Sequence, residues 1–310
     1  MKTFVVTGCN GYIGSHMCHE LGTLYNDCKI HGIDKNDKRH LRHLYDSYDH
    51  VDLAVDPISL PEGTDAIFHF AAYISVEEGE RDPFKYYRNN VVGSLRLIAR
   101  ALEQKIPYFI FSSTAAVYGN SKNPMFGHLF EHTPPNPFSV YGKTKYMVEQ
   151  VLQDEKGINS AILRYFNVAG RSKKANLFEE HDPETHLIPL LVQNKNATIY
   201  GDDYPTKDGT CIRDFIDVRD ICRAHTLAYR HMEQNKENLV LNVGSGKGYS
   251  VKEVVDKVNN IIHNGEMNIE YKDKRPGDVP YLVADTTKAK ETIGFEPQYS
   301  LDQIIESMKI

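Results

Sequence analysis

The chain of 310 residues is long enough for one large domain or two unequal ones sharing an interface, and too long for a single small module. Hydrophobic residues at 41% and charged residues at 25% are the balance of a folded globular protein, not of a disordered or collagen-like one. With 36 basic against 42 acidic side chains, a formal charge of -6 and no basic runs, the composition argues against nucleic acid, and no apolar run approaches the roughly 20 residues that span a bilayer.

The first strand, KTFVVTG, begins at residue 2 and leaves no room for a secretory leader, so the protein is expected in the cytoplasm. Directly after it comes Gly8-Cys9-Asn10-Gly11-Tyr12-Ile13-Gly14, then a helix from about Ile13 to Leu24. Strand, glycine turn and helix in that order suit a diphosphate: backbone N–H groups can approach it, and the helix N-terminus supplies a favourable dipole. Glycines before a helix serve purely structural turns as well, and the spacing here is GxxGxxG. Asp34 tips the balance. It closes the second strand, KIHGID, 20 residues after Gly14, where a carboxylate can accept hydrogen bonds from an adenosine ribose and would repel a 2′-phosphate. That favours NAD over NADP.

Further on, AIFHFAA, YFIFSS and SAILRYFN read as strands alternating with helices, which implies βαβ units and a parallel sheet. Between the first two, Asn89 to Gln104 places Val91, Leu95, Ile98 and Leu102 at helical spacing, a face expected to pack on the sheet. YFIFSSTAAVYG ends a buried strand with Ser112, Ser113 and Thr114, hydroxyls at the sheet edge where ligands bind. For Ser112 a turn-capping role fits as well as a functional one; Thr114 is read as functional, sharing a hydrogen bond with the hydroxyl that loses its proton. In SVYGKTK, Tyr141 and Lys145 stand at i and i+4 on one helix face. A phenol is a poor base at neutral pH, and a neighbouring ammonium favours the phenolate.

After Gly170 the pattern changes. RSKKANLFEEHDPETHLIP is charged and loop-like, glycine and proline become frequent through GDDYPTKDGT, and a second, smaller region is expected. A helical stretch near Asp214 to Tyr229 and then LVLNVGSG suggest a return to the first layer. The five cysteines, Cys9, Cys18, Cys28, Cys211 and Cys222, show no metal-binding spacing and are expected to be reduced and structural; the 14 histidines form no metalloprotease pattern, and no metal is expected.

Together GxxGYIG, HFAA, YYRNNV, FSSTAAVYG, SVYGKTKYMVEQ and LRYFNVAG resemble the extended short-chain dehydrogenases/reductases. THLIP, IYGDDYPTKDGTCIRDFI, NVGSGKGYSV and RPGDVP resemble the UDP-glucose 4-epimerases within that group, and the resemblance covers essentially the whole chain. It implies an α/β fold, a Rossmann-type doubly wound parallel sheet with a smaller mixed α/β substrate-binding domain. NAD would be bound by residues 1–170 with 214–244, and a UDP-hexose by 171–213 and 245–310.

By the same resemblance Thr114, Tyr141 and Lys145 are the catalytic residues. Gly8, Gly11, Tyr12, Ile13, Gly14, Asp34, Asp52, Leu53, Phe70, Ala71, Asn90, Ser112 and Tyr165, with Tyr141 and Lys145, line NAD. Thr114, Tyr141, Asn167, His186, Leu187, Ile199, Tyr200, Arg213, Arg275, Asp278 and Leu282 meet the sugar nucleotide. Arginine suits its diphosphate because planar donors pair with phosphate oxygens. Family members are commonly homodimers through two helices of the NAD domain.

Three departures stand out. The segment between Asp34 and Asp52 is short for the family, Ile74 replaces a lysine near the cofactor, and His186 follows the THLIP branch instead of the asparagine one. A nucleotide-sugar 4,6-dehydratase or decarboxylase uses the same oxidation, but dehydratases follow the catalytic threonine with an Asp-Glu pair where this chain has Ala115 and Ala116. A catalytically silent NAD sensor on the same fold is the alternative from a different class. At Leu282, leucine is intermediate between the bulky and small residues that exclude or admit an N-acetyl group, which leaves N-acetylated substrates open.

Overall fold

In the computed structural model, which describes residues 1–119, 127–180, 183–275 and 277–309, β1 (Lys2–Thr7) lies in the interior of a seven-stranded sheet to which the chain keeps returning. Helix α1 (Tyr12–Leu24) leads to β2 (Cys28–Asp34) and β3 (Ser47–His50), which extend the sheet on one side of β1. The chain then crosses over to β4 (Ala66–His69) and β5 (Tyr108–Thr114) on the other side. Between these two strands lie the short helices α2 (Val76–Arg81) and α3 (Pro83–Tyr86), a π-helical turn at Tyr87–Val92 and α4 (Gly93–Glu103).

A short β6 (His128–Leu129) and α5 (Val140–Asp154) precede β7 (Asn159–Tyr165), which pairs with β5. Beyond β8 (Asn167–Ala169) come α6 (Leu187–Gln193), β9 (Asn196–Tyr200), β10 (Ile212–Asp217) and α7 (Val218–Asn235). The strand β11 (Leu239–Val243) then joins the edge of the first sheet beside β7. All six pairings are parallel, and the order β11-β7-β5-β4-β1-β2-β3 reverses direction between β1 and β4, the crevice where open α/β sheets bind ligands.

Alternate residues of these strands feed two cores. Phe4, Val6, Phe68, Ile110 and Leu163 pack with Met17 and Leu21 of α1 and Ile221, Ala228 and Tyr229 of α7. Val5, Ile67, Phe109, Phe111 and Ile162 pack with Leu97, Ile98 and Ala101 of α4 and Val148 and Leu152 of α5. Strands covered on both faces read as continuous apolar runs, as the sequence pattern had them.

The smaller part contains β12 (Gly248–Ser250), α8 (Val251–His263), β13 (Asn268–Lys272), β14 (Tyr281–Ala284), α9 (Thr287–Ile293) and α10 (Leu301–Ser307). A mixed sheet, β12-β10-β14-β6, carries β8 alongside β10; β9 and β13 form a separate parallel pair. Helices α6, α8 and α10 share a core with β9 and β10 around Ile188, Ile199, Phe215, Val254 and Ile304. Because β8 begins two residues after β7 ends, the mixed sheet grows from the C-terminal rim of the parallel one.

Two local expectations are corrected. The helix α4 packs on the sheet as expected, but its buried face is Ser94, Leu97, Ile98 and Ala101, while Val91, Leu95 and Leu102 are only half-buried, Leu102 at the edge of the core. Asp214 to Asp217 is strand, not helix, and the helix starts at Val218 with the Asp217 carboxylate accepting from Arg219 N–H as its cap. His181 and Asp182 of the charged loop and Pro276 of RPGDVP lie outside the described residues. Among the described residues no helix is long and apolar enough to cross a membrane, and all five cysteines are free thiols.

Candidate active site

The glycine turn after β1 depends on close backbone approach. Gly8 has φ +70°, and a Cβ there would stand 2.7 Å from Ala71 N and 2.9 Å from Phe70 C; one on Gly14 would stand 2.0 Å from Gly8 O. Gly11 caps α1 without a side chain, Ile13 is half-buried in the first turn, and the Tyr12 hydroxyl donates to Gly170 O at 2.5 Å. Asp34 is buried at the tip of β2. Its two carboxylate oxygens accept the N–H groups of Asn10 (3.0 Å) and Asn36 (2.9 Å), which ties β2 to the glycine turn, and burial pushes its pKa up. Asp52 caps its own turn by accepting from Ala54 N–H, and Leu53 is buried with its carbonyl bonded to Arg96. Ile74 is exposed; the nearby cation is Lys35, whose ammonium sits 3.5 Å from the Tyr73 ring centroid and 3.1 Å from Asn89 Oδ1.

Asn90, buried in the π-helical turn, is saturated. Its amide nitrogen donates to Tyr73 O and Thr144 Oγ1, and its oxygen accepts from Tyr73 N–H. Behind it, Ser94 donates to Asn90 O (2.5 Å), so the His69 Nε2–H at 2.8 Å must donate to Ser94, and Thr7 donates to Nδ1 at 2.6 Å. This chain runs from the strand before the glycine turn to the helix bearing Tyr141 and Lys145.

That helix is set against β5 by Gly142, where a Cβ would stand 2.6 Å from Ala116 O, and is capped by Ser139, which accepts from Gly142 N–H at 3.1 Å. Thr114 accepts from Ala116 N–H at 3.1 Å, and its hydroxyl favours the Tyr141 phenolate. Lys145, buried, donates to the Ser112 carbonyl at 2.8 Å. Burial pushes the Tyr141 phenol up to about 12, against the Thr114 hydrogen bond; burial also pulls Lys145 down to about 7, against the Glu149 carboxylate one turn on. A positive charge and a sugar hydroxyl brought to this edge would both favour the phenolate.

The residues expected to hold the sugar nucleotide, beyond Thr114 and Tyr141, fall in four places. Arg213 on β10 pairs with Asp278 at 3.2 Å and donates to Val279 O at 2.7 Å, with Leu282 of β14 next to it in register. The Arg275 guanidinium lies 3.8 Å from the Tyr200 ring centroid, beyond the buried Ile199. His186 caps α6 ahead of Leu187, and its Nδ1 bonds Glu179 with Glu184 at 3.6 Å. Asn167 is half-buried at the start of β8, in register with Phe215 of β10. The first group reaches the catalytic helix: Gly277 sits against the Phe138 ring, three residues before Tyr141, and Leu282 packs on the cluster of Ala115, Val117 and Phe166.

Residues 4–244 match the model of the NAD dependent epimerase/dehydratase family. The chain belongs to that family. It is 39% identical over 319 residues, covering 99% of this chain and 95% of the relative, to the UDP-glucose 4-epimerase of Rhizobium meliloti (strain 1021). Among solved structures it is similar to a UDP-glucose 4-epimerase from Brucella ovis in complex with NAD, with 34% identity, TM-score 0.89 and coverage of 99% and 97% of the two chains. It is also similar to a UDP-Glc/GlcNAc 4-epimerase from Campylobacter jejuni, with 34% identity, TM-score 0.82 and coverage of 99% and 98%.

Membership in an NAD dependent family makes the dinucleotide the group to test against these residues, and they fit it. The turn is too close for any side chain at Gly8, the helix N-terminus has no side-chain cap, and a buried carboxylate closes β2. The sequence reading missed the supporting residues. Arg164 on β7 makes a buried bidentate pair with Glu149, which also accepts from Ser113, so α5, β5 and β7 are locked together one turn beyond Lys145. An arginine inside the apolar run SAILRYFN was the available signal, since a buried charge demands a partner.

Proposed function

We propose that this protein is a UDP-hexose 4-epimerase that interconverts UDP-glucose and UDP-galactose through a transient 4-keto sugar. The observation that carries the reading is the meeting of Thr114, at the tip of β5, and Tyr141, in the first turn of α5, at the rim of the parallel sheet, with Lys145 seated on the Ser112 carbonyl and uncharged Ala115 and Ala116 following Thr114. NAD, when bound, supplies the acceptor and later the donor of the hydride. Tyr141 takes the proton of the sugar 4-hydroxyl, Thr114 orients that hydroxyl, and Lys145 stabilises the phenolate. Tyr141 then returns the proton after the hexose has turned about its link to the anchored UDP. Elimination of water would need an acid and a base where the chain has two alanines.

Residues 1–170 with 214–244 are assigned to NAD and 171–213 with 245–310 to the sugar nucleotide; β6 and β10 cross that division and join the two at the site. Arg213, Arg275 and Asp278 are assigned to the UDP end, with Asn167, His186, Leu187, Ile199 and Tyr200 around it. The wall formed by Phe70, Ala71, Asn90, Ser112 and Tyr165 is assigned to the cofactor. Leu282, beside Arg213 and against Ala115, is assigned to the hexose.

Incubating the purified protein with UDP-galactose and no added NAD should yield UDP-glucose; failure on every UDP-hexose despite bound NAD would sink the reading and favour a silent sensor. Formation of a 4-keto-6-deoxy product would favour a dehydratase. Comparing UDP-galactose with UDP-N-acetylgalactosamine before and after Leu282→Tyr tests the pocket: selective loss of the larger substrate is expected, and an unchanged preference removes Leu282 from it. We further infer a homodimer in the cytoplasm, serving galactose metabolism. Exposed Met147 and Val151, one turn apart on α5, and Val92 ahead of α4 offer an apolar face to a second copy, and the free cysteines suit a reducing compartment.

A further inference from the structure

His225 lies on α7 under the parallel sheet, and none of the roles assigned above uses it. It is fully buried. Its Nδ1 is 2.8 Å from the Ile221 carbonyl, which can only accept, so Nδ1 carries the proton. Burial pulls the imidazole down to about 4, so the ring is neutral and that proton is its only one. Nε2 is therefore a bare lone pair. The Tyr165 hydroxyl, 2.8 Å away, must donate to it.

With its proton committed, the Tyr165 oxygen is left only to accept, at the tip of β7 in register with Thr114 of β5. Two residues back on β5 the Ser112 carbonyl holds the Lys145 ammonium at 2.8 Å. Both bonds of the histidine have a fixed direction: Tyr165 to His225, and His225 to the α7 backbone. The imidazole also packs against the two aromatic side chains of the assigned cofactor wall, with ring centroids 4.8 Å from Phe70 and 5.4 Å from Tyr165. A leucine of similar volume could fill this space, but it would leave the Tyr165 hydroxyl buried without an acceptor.

We propose that His225 is a positioning residue for the nicotinamide end of the site: a permanent hydrogen-bond acceptor that orients the Tyr165 ring at the tip of β7, beside Thr114 in register. It exchanges no proton during turnover. The proposal rests on reading Phe70 and Tyr165 as the cofactor wall.

The test uses the purified protein with its bound NAD and the variants His225→Leu, which lacks an acceptor, and His225→Gln, whose amide oxygen reaches the same place. Besides NAD content and the kcat and KM for UDP-galactose, the fluorescence of the bound cofactor after borohydride reduction is recorded without sugar nucleotide. In His225→Leu, kcat should fall about tenfold or more at unchanged KM, and the emission of the reduced cofactor should shift. His225→Gln should restore both. Leu and Gln variants that share one emission and one kcat, differing from the parent only in melting temperature, overturn the proposal.

Should His225→Leu fail to fold, Tyr165→Phe removes the donor and leaves the histidine in place. The same emission shift is expected there, and an unchanged emission overturns the proposal. Because the emission needs no turnover, an inactive parent whose Leu and Gln variants still differ in emission would refute the epimerase reading while supporting the placement of His225.

Discussion

Behind the half-buried Thr114 and Tyr141, the groups that support proton and hydride transfer are buried and bonded within the protein, whereas most of those assigned to the sugar nucleotide, Ile199 excepted, stand half or fully exposed in the smaller part. Lys145, Ser112, Tyr165, Asn90 and Glu149 each have named partners within the protein. Arg275 rests on Tyr200, and Arg213 holds Asp278 across a pair whose aspartate side chain is 34% exposed. A buried, saturated network holds its geometry whatever the sugar does; an open set of cations can take hold of the UDP diphosphate and leave the hexose few contacts to break when it turns. The mechanism needs both behaviours in one site, a grip on UDP and freedom for the hexose.

That contrast can be broken experimentally. Tyr141→Phe tests the buried side most severely: kcat should drop by about 10²–10⁴-fold with NAD content unchanged, and a milder loss would mean another group takes the proton. Arg164→Met should cost about 3–5 kcal/mol in urea unfolding because it strands the Glu149 carboxylate in the core. Adding Glu149→Gln to it should recover much of the loss, and no recovery would mean the cost is packing rather than charge. On the exposed side Arg213→Ala should raise KM by about 10- to 100-fold at little change in kcat, and move stability by less than about 1 kcal/mol. A large kcat effect there would erase the distinction between the two sides.

The smallest effect is a slope with pH. Burial holds the folded-state pKa of Lys145 at about 7, below the ordinary lysine value, so between the two the unfolded chain binds a proton that the folded one does not. Stability from this group therefore rises as pH climbs from 7 toward the ordinary lysine range. Unfolding free energies of the parent relative to Lys145→Met should grow over that window, and a flat difference would show that the ammonium persists in the fold.

Much of this was legible before any coordinates. The strands β1, β2, β4, β5 and β7, the glycine turn, Asp34 and the pair Tyr141/Lys145 follow from local spacing and period and are found on the elements expected, whereas β3 at Ser47–His50 was not foreseen. The register of α4 was misjudged because its buried face includes Ser94 and Ala101, which a search for large apolar residues passes over. Asp214 to Asp217 was joined to the helix because Asp214-Phe215-Ile216 runs into DVRD (217–220) with no turn residue between, and the pairing of β10 with β8 and β14 makes it strand. His225 was invisible: a histidine on a helix carries no mark until its neighbours are known.

Taken alone, the sequence determined which backbone pieces form and which residue types face one another within a helical turn, since those depend on neighbours a few positions away. The tertiary structure decided which lone pair meets which proton. Tyr165 and His225 are 60 positions apart, Tyr118 and Asn242 124, and Arg213 and Asp278 65. Such partners are chosen by the cost of burying a polar group unpaired, a cost that exists only once the sheet has closed over it.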